Sequence, residues 1–213
     1  MSTLPCDHTA SSDVFGRRHH AILLAVFFVS GFSALAYQVG WQRLLFAAIG
    51  VDIESITIIV SVFMLGLGLG ALLGGKLAEY APHKIILFFA VAEAGIGLFG
   101  LVSPTIIPAL GEALTGSSRG MVALAVYLFL AFPTLLMGAT LPMLVEYVDR
   151  KLDNVGVSIG QLYFINTLGA ALGAFATGFI LFVFLDINQT IYAAASANLL
   201  VSAVAYLVLR PKP

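Results

Sequence analysis

A carboxylate in the middle of an apolar run is the first residue of this chain that could do chemistry. Glu93 lies eight residues into the run that starts at Ile85, roughly 12 Å along a helix at about 1.5 Å per residue. An ionisable group at that depth is costly and is a functional candidate by default. Three roles fit it: a proton site, a counter-ion for a cationic substrate, or a structural carboxyl hydrogen-bonded between helices. Gly97 and Gly100 continue its face, which points Glu93 toward a close helix neighbour and away from lipid. Asn166, within Tyr163-Phe164-Ile165-Asn166-Thr167-Leu168-Gly169, is the second candidate. Its amide can tie two helices together or orient a ligand, and it is expected at a depth similar to that of Glu93. The third group closes the first apolar run: Tyr37, Gln38, Trp41, Gln42 and Arg43. Tyr37 and Trp41 are four apart and share a face, with Gln38 and Gln42 on the adjacent one. They fit an interfacial aromatic belt with an anchoring arginine, or an aromatic-lined mouth that holds an amine by cation–π contact.

Other chemistries find no residues here. His8, His19, His20 and His83 fall in the tail or a turn. No nucleophile–base pair, phosphate-binding loop, dinucleotide fingerprint or metal cluster is present, so neither a metal nor a cofactor is expected, and no enzyme is evident. Cys6 is the single cysteine and has no partner for a disulfide. A net charge of −1 gives no electrostatic footprint for nucleic acid.

The elements that must position these residues are membrane helices. The 213 residues are 60% hydrophobic and 10% charged, with a mean hydropathy of +1.03. A soluble domain carries roughly 25% charged residues. Apolar spans are expected at 21–37, 56–75, 85–102, 121–145, 158–184 and 190–209, each near the ~20 residues that cross a hydrocarbon core. Ala34-Leu35-Ala36 resembles a signal cleavage site, but the preceding tail is long and the apolar character runs past Trp41. The expected organisation is a polar tail at 1–20, a six-helix domain at 21–209 and a short tail at 210–213. Pro104 and Pro108 are expected to end the third span, Gly111 to Arg119 to form a polar loop and Asp149 to Asn154 a charged one. Pro133 and Pro142 are expected to kink the fourth span.

Lysine and arginine orient the chain. Arg17, Arg18, Lys76, Lys84, Arg150, Lys151, Arg210 and Lys212 fall on one side, and Arg43 and Arg119 on the other. The positive-inside rule places both termini in the cytoplasm. Between the second and third spans, Gly66, Gly70 and Gly74 recur every four residues. That stripe lets a neighbouring helix approach backbone to backbone. The turn after it carries Lys76, Glu79, His83 and Lys84, and Pro82 blocks the helix from continuing.

Four ordered motifs carry a resemblance. Ser30-Gly31-Phe32-Ser33-Ala34-Leu35-Ala36-Tyr37-Gln38-Val39-Gly40-Trp41-Gln42-Arg43-Leu44-Leu45, Phe63-Met64-Leu65-Gly66-Leu67-Gly68-Leu69-Gly70, Leu135-Leu136-Met137-Gly138-Ala139-Thr140-Leu141-Pro142 and Leu162-Tyr163-Phe164-Ile165-Asn166-Thr167-Leu168-Gly169-Ala170 resemble the membrane domain of bacterial fused spermidine synthase-like proteins. The likeness covers about residues 22 to 209. In that family a cytoplasmic aminopropyltransferase domain usually follows the membrane part. This sequence runs only to Pro213, so synthase activity is not expected of it. Gly75-Lys76-Leu77-Ala78-Glu79 and Lys84 resemble the 2–3 loop of major facilitator transporters, where the carboxylate and basic residues act as a conformational latch. That resemblance implies half of a facilitator-type bundle, built from two inverted three-helix repeats, which would need a second copy or another partner to enclose a site.

The expectation is therefore an all-α, multi-pass protein of the bacterial inner membrane. Its partners would be the lipid bilayer and a homodimer mate or another membrane or cytoplasmic protein. In one functional reading it binds or moves a small cationic metabolite such as a polyamine: Glu93 neutralises an amine, Asn166 orients it, and Tyr37, Gln38 and Trp41 line its approach. In the other it is an anchor or accessory subunit, with the loop bearing Lys76, Glu79 and Lys84 as a contact surface.

Overall fold

The computed structural model describes residues 8–50, 52–152 and 155–209. Expectations for Cys6, Asn154, Arg210 and Lys212 lie outside the described residues. Six helices among the described residues are long and apolar enough to cross a membrane. They are α1 (His8–Ile49), α2 (Asp52–Tyr80), α3 (Ile85–Ala113), α4 (Arg119–Leu152), α5 (Val155–Ala176) and α6 (Ile187–Val204). α5 runs on through a π turn at Thr177–Leu181 to Phe184, and α6 ends in a π turn at Ala205–Leu209. A bilayer offers the backbone no hydrogen bonds, so a spanning segment must satisfy them internally.

Most helices are longer than their apolar cores. α1 begins at His8, inside the polar stretch expected to be a tail. Pro82 opens a short 3₁₀ turn after α2, as expected of a helix stop. Pro104 and Pro108, however, do not end α3, which continues to Ala113. Pro104 removes the donor that would have served the carbonyl of Gly100 four residues back, and the Ser103 hydroxyl donates to that carbonyl instead, at 3.1 Å. The loop expected from Gly111 therefore shrinks to the turn at 114–118, where Gly116 takes a left-handed φ of +83°. The charged loop expected from Asp149 is helical through Leu152. There Arg150 Nε pairs with Glu146 Oε1 one turn back, at 2.7 Å. α6 starts with a capping box in which Asp186 accepts from the Gln189 backbone while the Gln189 side chain accepts from the Asp186 backbone.

The helices pair α2 with α4, α1 with α5, and α3 with α6, while α1 also packs on α6 and α3 on α4. Two of these seams are made by glycine. A Cβ at Gly66 would strike Thr134, one at Gly70 the Leu135 carbonyl, and one at Gly74 the Ala139 backbone. In α5, Gly169 and Gly173 sit in the same way on the carbonyls of Phe28 and Phe32 of α1.

This pairing scheme is unchanged when α1, α2 and α3 are exchanged for α4, α5 and α6, apart from the α1–α3 contact, which has no close counterpart. Burial follows the same exchange. Displaced by 99 residues, buried Phe63, Gly70, Gly74 and Ala78 fall on buried Leu162, Gly169, Gly173 and Thr177. Exposed Met64, Leu65, Gly68 and Leu69 fall on exposed Tyr163, Phe164, Thr167 and Leu168. A displacement of 107 carries buried Ser30, Gly31, Ser33, Tyr37 and Trp41 onto buried Met137, Gly138, Thr140, Leu144 and Val148. A displacement of 105 carries buried Phe89, Ala90, Glu93 and Ile96 onto buried Ala194, Ala195, Asn198 and Val201. Its trace in the sequence is Leu69-Gly70-Ala71-Leu72-Leu73-Gly74 against Leu168-Gly169-Ala170-Ala171-Leu172-Gly173. An odd number of helices per unit makes the second unit thread the bundle in the opposite sense, which is an inverted repeat.

Candidate functional site

The polar residues that lipid cannot accept collect on the seam of α1, α3 and α6. α1 and α3 run parallel and in register. Ser30 faces Glu93, the Tyr37 ring end lies on Gly100, and Trp41 faces Ser103. α6 runs the other way along α3: Asn198 faces Glu93, Ser202 donates to the Ala90 carbonyl at 2.7 Å, and Gly97 meets Ala195.

Glu93 is fully enclosed, with 0% exposure. Ser30 Oγ donates to its Oε1 at 2.5 Å, and Asn198 Nδ2 donates to its Oε2 at 2.6 Å. Both donors are buried as well. They are neutral, and no cationic side chain pairs with Glu93 among the described residues. Four buried oxygens on the same helices have no partner among the described residues: Ser33 Oγ, Tyr37 Oη, Thr190 Oγ1 and Asn198 Oδ1. Buried acceptors and hydroxyls are usually satisfied, so each marks a place where the arrangement is incomplete or changes.

Asn166 is not part of this group. A Cβ on Gly31 would meet the backbone and the Oδ1 of Asn166, so Asn166 does lie level with Ser30 and Glu93. The body of α1 separates them, however, and Asn166 is half-buried on the α1–α5 side. The amide that reaches Glu93 is Asn198. Asn198 lies as deep in its apolar run as Asn166 does in its own, and depth alone does not choose between the two amides. The repeat would have found it, because Asn198 occupies in α6 the position of Glu93 in α3.

Tyr37 and Trp41 share a face as expected, with ring centroids 4.7 Å apart in a stacked pair. Their placement corrects both expectations for them. Each has 0% exposure, so they form neither an interfacial belt nor the lining of a mouth. Trp41 also meets Phe63 and Phe99, and its indole nitrogen donates to Ser103 Oγ at 2.8 Å. Their aromatic faces are taken up by packing. They lie here because α1 continues to Ile49, which puts them inside the bundle and leaves Arg43 to stand over Phe182 at 5.9 Å near the helix end. Gln38 is half-buried. Lys76, Glu79 and Lys84 are exposed around the α2–α3 turn, and no ion pair joins them among the described residues. No three acidic, histidine or cysteine side chains converge as a metal site among the described residues.

No family model and no solved structure matches the chain. Two curated proteins are distantly similar. Polyamine aminopropyltransferase 2 of Streptomyces coelicolor is 28% identical over 192 residues, which are 87% of this chain and 34% of that protein. Polyamine aminopropyltransferase of Corynebacterium efficiens is 28% identical over 183 residues, 84% of this chain and 34% of that protein. The chain thus spans about a third of the length of the curated relatives it matches. The facilitator likeness finds no support in these comparisons.

Proposed function

We propose that this chain is the bilayer-embedded unit of a polyamine aminopropyltransferase system and serves to hold or dock aminopropyltransferase activity at the membrane. The observation that carries this reading is the span of the similarity: it takes in nearly the whole helical bundle and a third of each relative. In this reading the lysine and arginine bias places both termini and the loop bearing Lys76, Glu79 and Lys84 on the cytoplasmic side of the inner membrane. That side would carry the contact with the catalytic part. The test is purification from native membranes in mild detergent, with mass spectrometry of what accompanies the chain and an assay for aminopropyl transfer. The expected result is co-purification with aminopropyltransferase activity. Recovery alone, or in a complex with no such activity, overturns it.

A second reading rests on Glu93. A buried carboxylate that has two neutral donors and, among the described residues, no cation is a seat for positive charge, and the relatives' names give that charge an identity, a polyamine amine group. Tyr37 and Trp41 lie further along the same seam, against Gly100 and Ser103, and being fully buried they offer such a site no free ring face. Spermidine titrated into the purified protein should bind, and Glu93→Gln should weaken binding at least tenfold. Equal affinity in the variant rejects this reading.

A further inference from the structure

We infer that Glu93 takes up and releases a proton in place, and that the side-chain amide of Asn198 turns over with it, so that the two residues form a proton-operated clasp between the two halves of the inverted repeat. Three observations lead there. Glu93 accepts from Ser30 and Asn198 and is fully enclosed. No cation neutralises it among the described residues, so its ionised form leaves a whole charge in an apolar bundle. Asn198 is 1% exposed and has one half of its amide on Glu93 and the other half, Oδ1, without a partner.

An amide is a donor at one end and an acceptor at the other, with nearly the same shape either way round. With Glu93 ionised, Nδ2 faces Oε2 and Oδ1 is idle. When a proton from the aqueous phase binds Oε2, the new O–H needs an acceptor. A half-turn of the amide presents Oδ1 to it. Ser30 donates to Oε1 in both forms, so the carboxyl keeps its seat. No covalent bond other than O–H forms or breaks.

The other groups facing this seam leave Glu93 as its titrating member. From α1 comes Tyr37, whose ring end lies a turn or two further along α3, at Gly100. α6 faces it with Asn198 between the apolar residues Ala194, Ala195 and Val201. α4 meets α3 there through Leu136 against Gly95 and brings no titratable side chain. The position gives the switch its reach. Glu93 belongs to the first three-helix unit and Asn198 to the second, at equivalent places where α3 crosses α6. A change in the bond between them is a change in how the units hold each other.

The test is infrared difference spectroscopy of the purified full chain across the pH range in which it stays folded, with no amine present, so that it is independent of the polyamine reading. Glutamate carrying ¹³C in its carboxyl identifies the acid without any variant, and ¹⁵N-asparagine reports the amide. The expected result is a protonated-carboxyl band that appears and disappears reversibly with pH and is lost in Glu93→Gln. An asparagine side-chain signal should shift along the same pH course and stay fixed in Glu93→Gln. Asn198→Leu should move the carboxyl band to the position of an acid without a hydrogen-bond acceptor. A carboxyl that does not change with pH, or one that titrates while the asparagine signal stays fixed, overturns the inference.

Discussion

The bundle has two kinds of seam, and they hold helices in different ways. Between α2 and α4, and between α1 and α5, the absence of side chains does the work: Gly66, Gly70, Gly74, Gly169 and Gly173 bring backbones into contact. Between α1, α3 and α6 the tie is chemical, with Ser30, Glu93 and Asn198 sharing hydrogen bonds. In lipid there is no hydrophobic gain from burying one apolar helix against another, so close packing and polar contacts are the available means. The glycine seams give closeness that tolerates no added volume. The polar seam gives a bond that tolerates changes of shape but depends on protonation and on the donor's identity.

Substitutions at the two seams should separate these mechanisms. The largest effect is expected at a glycine seam. Gly70→Leu must push a side chain through the Leu135 carbonyl, an overpacking cost at or above the usual upper end of about 3 kcal/mol. Folded protein should be largely lost, as read by size-exclusion chromatography in detergent; a monodisperse, fully stable variant would mean that α2 and α4 do not pack as described. Next comes Trp41→Phe, which leaves the buried Ser103 hydroxyl without its indole partner and trims a packed ring. A loss of about 1–3 kcal/mol is expected, measured as a drop in melting temperature.

Ser30→Ala removes one of two donors to Glu93, and interhelical bonds in membranes average about 0.6 kcal/mol. A melting shift of a few degrees or less should result, far smaller than at Gly70. A loss as large as that of Gly70→Leu would abolish the distinction between the seams. Comparable in size but opposite in sign, Gly68→Ala should hold or raise stability by about 0.5–1 kcal/mol, because alanine favours helix over glycine and a Cβ at Gly68 meets nothing within 4 Å. Two glycines on one helix, Gly68 and Gly70, should thus respond in opposite directions.

Much of this contrast is legible in the chain itself. Long apolar runs mark the six helices, the four-residue spacing of Gly66, Gly70 and Gly74 marks a close seam, and the depth of Glu93 in its run marks a carboxylate away from lipid. What periodicity cannot give is the partner across a seam. Asn166 and Asn198 are equally polar and equally internal to their runs, and tertiary packing alone decides that Asn198 reaches Glu93 while α1 stands before Asn166. Tyr37 and Trp41 mislead for a related reason. Aromatic residues near the end of an apolar run fit an interface until the helix is seen to continue to Ile49. Pro104 misleads because its cost depends on a neighbour, and the Ser103 hydroxyl that serves Gly100 lies beside it in the chain. Inverted three-helix repeats enter the sequence reading only through the facilitator resemblance, because the two copies here share few letters and many burial positions.

The exchange of helices across the repeat also dictates how the protein can be made. The main partner of α2 is α4, that of α1 is α5 and that of α3 is α6, so each three-helix unit finds its chief contacts in the other. The halves are woven into one another and do not stack as finished pieces. During synthesis the first three helices emerge with the glycine face of α2 and the carboxyl of Glu93 still uncovered, and neither is closed until α4 and α6 arrive. Closure of these seams therefore waits on α4 and α6, and until then the α2 groove and the Glu93 carboxyl lack the partners that fill and bond them here.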